Sequence, residues 1–151
     1  MRIIGIDPGL RNTGWGIIEI KNNKLVHVDD DRISPPFTSS VGERLLFLKN
    51  NLSVLVKKYD PNRSAIEQIF VGPGTGSSLK LGMERGVSML VLAKAGLQIK
   101  ELPPKKKKKT VTGYGSASKN QIKSMIEKLI NIIPKNEDSS DALAIAISAQ
   151  Y

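Results

Sequence analysis

The sequence predicts an α/β fold: a mixed five-stranded sheet, antiparallel meander plus parallel strands, flanked by helices. Three observations predict it. Strand-like segments at 2–7, 14–19 and 24–33 follow one another across short turns, the signature of an antiparallel meander. A helical stripe then leads to a fourth strand at 63–70, which can therefore return parallel to the first. Beyond it, helical patterns alternate with one short strand at 98–102.

Each element has a local cause. The run Ile3-Ile4-Gly5-Ile6-Asp7 breaks into Pro8-Gly9 and reads as a buried strand that carries one carboxylate to a turn. Asn22-Asn23 suits the left-handed conformations of a tight hairpin. Pro35-Pro36 ends the meander. Ser40 and Glu43 form a capping box, and Leu45, Leu48, Leu52, Leu55 and Tyr59 follow at helical spacing as far as Asp60-Pro61. After the strand at 63–70 comes a glycine-rich, flexible loop at 71–76. A second helix at 78–97 carries Leu79, Met83, Val87, Leu90 and Val91. Gly82 and Gly86 are costly inside it and suggest close packing against another helix. A loop is expected at 103–115, containing five consecutive lysines. Ser118 and Gln121 cap a helix bearing Ile122, Met125, Ile126, Leu129 and Ile130 on one face. After Pro134, Asp138 is expected to start the last helix, which is apolar over 142–149.

The chain has 151 residues, the length of one domain (1–151), and no apolar stretch of the roughly 18–20 residues that span a bilayer. Met1-Arg2-Ile3, followed soon by Asp7-Pro8, does not read as a signal peptide, and a cytoplasmic protein is expected. The absence of cysteine excludes disulfides, thiolate zinc sites and thiol catalysis. His27 is the only histidine and reads as a surface strand residue, so a multi-histidine metal site is excluded too. Net charge is +9, unevenly spread: 10 Lys+Arg against 8 Asp+Glu in residues 1–75, and 13 against 6 in 76–151. That asymmetry is the footprint of a polyanion-binding face, or of a merely soluble one.

Four acids stand where acids are costly. Asp7 ends an apolar strand, Glu67 interrupts Ala65-Ile66-Glu67-Gln68-Ile69-Phe70, and Asp138 and Asp141 open an apolar helix. Singly, Asp7 could be a turn residue, and Asp138 and Asp141 could simply cap their helix. Glu67 is harder to explain that way, because acids are depleted in strands and seldom buried unpaired. If the first and fourth strands are parallel neighbours, Asp7 and Glu67 approach one edge of the sheet, and Asp138 and Asp141, at i and i+3, can face it. Such an oxygen-only set suits magnesium, with manganese able to replace it, as two ions roughly 3.5–4 Å apart in phosphodiester hydrolysis.

Gly5-Ile6-Asp7-Pro8-Gly9, Ala65-Ile66-Glu67-Gln68, Leu79-Lys80-Leu81-Gly82 with Arg85-Gly86, and Asp141-Ala142-Leu143-Ala144-Ile145-Ala146 together resemble the RuvC family. These are bacterial Holliday-junction resolvases of the ribonuclease-H-like superfamily. The likeness runs in order over essentially the whole chain. It implies Asp7, Glu67, Asp138 and Asp141 as catalytic metal ligands. It also implies a homodimer joined through the 78–97 helix, symmetric nicking of a four-way DNA junction, and cooperation with the RuvA and RuvB branch-migration proteins. Phe70 matches an aromatic placed near the junction centre, where a ring could stack on unpaired bases, although core filling would explain it as well. Of the basic residues Lys105, Lys106, Lys107, Lys108, Lys109 and Lys119, the best matches for phosphate-contacting or catalysis-assisting lysines are Lys108 and Lys119. A merely solvated run is the plain alternative. The glycine-rich loop and the uniform lysine run depart from the family pattern, which leaves junction handling and cleavage-sequence preference open. Two competing readings remain: an RNA-processing nuclease of the YqgF type, and a junction-binding protein without catalysis.

Overall fold

Arg2–Asp7 forms the central strand, β1, because its alternating side chains are wanted on both faces of a sheet: Ile3 packs into one core, Ile4 and Ile6 into the other. The structure is a computed structural model and describes residues 1–69 and 76–150, with only the backbone of Gly76 and Ser77. Around β1 lie β2 (Thr13–Lys21), β3 (Lys24–Ile33), β4 (Arg63–Glu67) and β5 (Ile99–Leu102), in the order β3-β2-β1-β4-β5. The pairs β1–β2 and β2–β3 are antiparallel, whereas β1–β4 and β4–β5 are parallel. The meander and the parallel return are therefore as the sequence predicts. Asn22 and Asn23, at φ 49° and 60°, make the expected hairpin turn.

Helices α1 (Val41–Tyr59) and α2 (Gly76–Lys94) cover one face of the sheet, packing Leu48, Leu52, Val56, Val91 and Leu92 against Ile4, Ile6, Ile17 and Ile66. The other face carries α3 (Pro104–Thr112), α4 (Lys119–Ile130) and α5 (Glu137–Ser148). Of these, α5 is the innermost, with every residue from Ala142 to Ser148 buried.

Three glycines let α5 lie directly on the strands. A Cβ on Gly5 would overlap the carbonyl oxygen of Ala142, one on Gly14 the carbonyl oxygen of Asp138, and one on Gly16 would come within 2.6 Å of the Leu143 side chain. The small Ala142 and Ala146, one turn apart, complete the seam. The start of α5 is thus seated on β2, beside the end of β1.

Several expectations need correction. Residues 103–115 are not a loop: α3 begins with Pro104 in its first turn, where the fixed φ suits a helix, and ends at Gly113 with φ 84°. Lysine is a good helix former, and the run turns Lys107 and Val111, four residues apart, inward. The last helix starts at Glu137 with Asn136 as its cap, so Asp138 lies in the first turn. The fourth strand ends at Glu67, and Gly76 already belongs to α2. Gly82 and Gly86 border open space, and Leu79 and Leu90 are each 66% exposed, so no helix of this chain packs there among the described residues. His27 is half-buried and bonded to Asp30. Phe70 and residues 71–75 lie outside the described residues.

Candidate active site

The strand register brings the first two acids together. Ile6 pairs with Ile66 across the parallel β1–β4 ladder, so Asp7 and Glu67 each stand one residue further along at the same edge. Alternation sends both to the face of Ile3, Gly5 and Ala65, which is the face that α3 and α5 cover. There α5 presents Asp138 and Asp141, aligned by the contact of Gly14 with the Asp138 backbone.

The four carboxylates act on one another. Burial pushes Asp7 up to about 7, with Asp141, Glu67 and Asp138 adding repulsion that Lys107 partly offsets. Asp141 is also raised, first by burial and then by Glu67 and Asp138, against the attraction of Lys107 and Lys119. Such a cluster needs positive charge, and the chain supplies some. Lys107, only 7% exposed, places Nζ 3.2 Å from both oxygens of Glu67. At the outer side, Arg32 Nη1 lies 3.4 Å from Asp138 Oδ2. As these side chains stand, no three of the described carboxylates or histidines are arranged to hold an ion. The donor set is nevertheless all oxygen, as a hard divalent cation requires. The charged form of Asp7 is disfavoured first by burial and then by the neighbouring acids.

Of the residues expected at the site, the structure brings together Asp7, Glu67, Asp138 and Asp141. Lys119 is near enough for its charge to reach Asp141. Within the lysine run it is Lys107 that enters the acidic corner, because the inward face of α3 repeats at 107 and 111. Lys105, Lys106 and Lys109 stay on the exposed side.

Two residues were not singled out for this site from sequence. Arg85 donates from Nε to the Glu67 carbonyl (3.3 Å) and pairs with Glu101 on β5, buttressing the end of β4. Arg32 joins β3 to α5 through Asp138. A period-2 count along β3 could have found Arg32 only with the partner helix already placed.

The family described as crossover junction endodeoxyribonuclease RuvC matches residues 3–149. The chain belongs to the RuvC family. A RuvC crossover junction endodeoxyribonuclease of Rhodopseudomonas palustris (strain BisA53) is 46% identical over 149 residues, covering 98% of this chain and 86% of that protein. One from Ruegeria pomeroyi is 46% identical over 152 residues, covering 100% and 92%. Among solved structures, Thermus thermophilus RuvC in complex with Holliday junction substrate superposes with a TM-score of 0.92 at 23% identity, covering 100% of this chain and 93% of that one. At that identity the likeness speaks for the fold, which is the ribonuclease-H-like fold of RuvC. Across the RuvC match, all four carboxylates fall inside the shared span.

Proposed function

We propose that this chain is a metal-dependent endonuclease that resolves Holliday junctions by paired, symmetric nicks, as a homodimer. Membership of the RuvC family makes it a junction-directed nuclease. The observation that carries the chemistry is the meeting of Asp7, Glu67, Asp138 and Asp141 at one corner of the sheet, beside a basic helix. Asp7 and Glu67 come from the ends of adjacent strands; Asp138 and Asp141 come from the first two turns of α5, held by the glycine seam.

These four residues are the ones that would hold magnesium, one or two ions, with manganese as a substitute. Bound there, the metal would supply a Lewis acid for the phosphate and a more acidic water. The protein's own part is to hold oxygen donors in place, to exclude bulk water from Asp7, and to bring phosphate close. The exposed Lys105, Lys106 and Lys109, with Lys119 at the start of α4, form the basic surface that a DNA backbone would meet. Lys107 balances Glu67 while no ion is bound.

The homodimer reading rests on α2, where Leu79, Met83 and Leu90 are exposed beside Gly82 and Gly86. Small and apolar residues on one helix face let a second copy approach closely. A cytoplasmic place of action, and cooperation with RuvA and RuvB, go with the same reading. No described helix is long and apolar enough to cross a membrane.

The test is cleavage of a labelled mobile four-way junction, with magnesium and with chelator, alongside linear duplex. Paired nicks that need the metal and spare the duplex are expected. Metal-independent cleavage would remove the carboxylate mechanism, and preference for structured RNA over the junction would favour the RNA-processing alternative.

A further inference from the structure

Four successive residues of β3, Asp29 to Arg32, grip three residues at and just before the start of α5: Lys135, Asn136 and Asp138. Asp29 accepts from Lys135 Nζ at 2.8 Å and from the Tyr59 hydroxyl. Asp30 accepts from the Lys135 backbone N–H at 2.8 Å and from His27 Nε2 at 2.7 Å. Asp31 accepts from Asn136 Nδ2 at 3.1 Å, and Arg32 reaches Asp138. Asn136 in turn caps α5, its Oδ1 accepting from the Ser139 N–H at 2.8 Å.

The centre of this grip is Asp30, which is 1% exposed. A carboxylate so buried on an edge strand is strongly unfavourable unless its oxygens are satisfied. Both are, one by His27 and the other by Lys135. A β-bulge makes this possible. Ile17 pairs with Asp29 but Ile18 pairs with His27, so Val28 is the extra residue. Without the bulge, His27 and Asp30, three apart, would point to opposite faces of the sheet. With it, His27 lies opposite Ile18 and Asp30 opposite Gly16, both on the face where α5 packs. The irregularity therefore aims a histidine at the very acid that holds the helix start.

We infer that Asp30, braced by His27 across the bulge, is a positioning residue that sets where Asp138 and Asp141 stand relative to Asp7 and Glu67. It touches none of the four. It fixes Lys135 and, through the Asn136 cap, the first turn of α5. The inference rests on the reading of those four acids as metal ligands, and it adds an outer layer to that site on a different strand.

The experiment measures Mn2+ binding directly, by electron paramagnetic resonance of the free ion, in the wild type, Asp30→Asn and His27→Ala. It is run beside the Mg2+ dependence of junction cleavage. Asparagine keeps the size of Asp30 but turns an N–H toward one of its two donors. The Mn2+ dissociation constant should rise about 10-fold in Asp30→Asn and by a smaller factor in His27→Ala, as for loss of an outer-layer partner. The Mg2+ concentration at half-maximal rate should rise in parallel, while the rate at saturating Mg2+ stays near wild type. Junction binding in chelator should not change. His27→Ala keeps the test open if Asp30→Asn does not fold. Unchanged Mn2+ affinity in the folded variants, or a lost rate that added Mg2+ does not restore, would overturn the inference. A wild type that binds no Mn2+ would instead overturn the metal reading itself.

Discussion

Replacing Asp7 with asparagine should stabilise the ion-free protein while abolishing cleavage. Burial and the neighbouring carboxylates raise Asp7 from 3.8 to about 7. That is about 3 pK units, and at about 1.4 kcal/mol per unit the ceiling on the cost of ionising Asp7 in the ion-free fold is about 4 kcal/mol. Relaxation and partial access of water reduce this, and about 2 kcal/mol is a reasonable expectation. For a domain of this size, that corresponds to about 4–8 °C in Tm. The sign follows from linkage. A carboxyl whose folded pKa lies above its unfolded value favours the folded state while protonated, so its contribution is full below 3.8 and is lost as pH rises through about 7. Asp141, raised for the same reason, slopes the same way. Glu84, pushed up to about 7 by burial, does so in both proteins and cancels from the difference. The assay is thermal unfolding in chelator across this pH range, repeated with magnesium. Asp7→Asn should be the more stable protein above pH 7 in chelator, with a flatter pH profile, and should gain less than the wild type from magnesium. An asparagine variant that melts lower than the wild type in chelator at high pH would refute the claim that the charged form of Asp7 is disfavoured in the ion-free fold.

Three further outcomes are expected. Lys107→Met should cost about 1–3 kcal/mol in chelator, measured by urea unfolding, because it leaves the half-buried Glu67 without its partner; Lys108→Met should cost less than about 0.5 kcal/mol. Gly14→Ala should cost about 1–3 kcal/mol and most of the activity, since the new methyl must displace the Asp138 backbone. Replacing Lys105, Lys106 and Lys109 together by alanine should weaken junction binding and flatten its dependence on log salt by about 0.9 for each phosphate that is no longer neutralised, in a titration at several salt concentrations.

The strands were legible because both of their signals are local. Ile3, Ile4 and Ile6 mark a doubly buried strand, and Asn22-Asn23 can hardly be anything but a turn. The four acids were legible for the opposite reason, each being the wrong residue for its surroundings. Helix α3 was not legible, since a lysine run has no apolar period and its inward face rests on Val111 and the stem of Lys107 alone. The grip of β3 on α5 was hidden because three aspartates on an edge strand look solvated, and a bulge leaves no mark in a sequence. The seam under α5 did leave one: Gly5, Gly14 and Gly16 share a sheet face, and Ala142 and Ala146 share a helix face. Pairing the two needs the sheet order first.

On the metal reading proposed above, Lys107 would change the order of events in the life of this protein. A site made of four carboxylates could have been a place where the chain waits for a metal before it can close. With an ammonium already seated against Glu67, the chain would be able to finish folding in a solution poor in divalent ions and stay intact but idle. Loading would then be an exchange between cations in a finished structure. Availability of the ion would govern when cutting starts, and not whether the molecule survives.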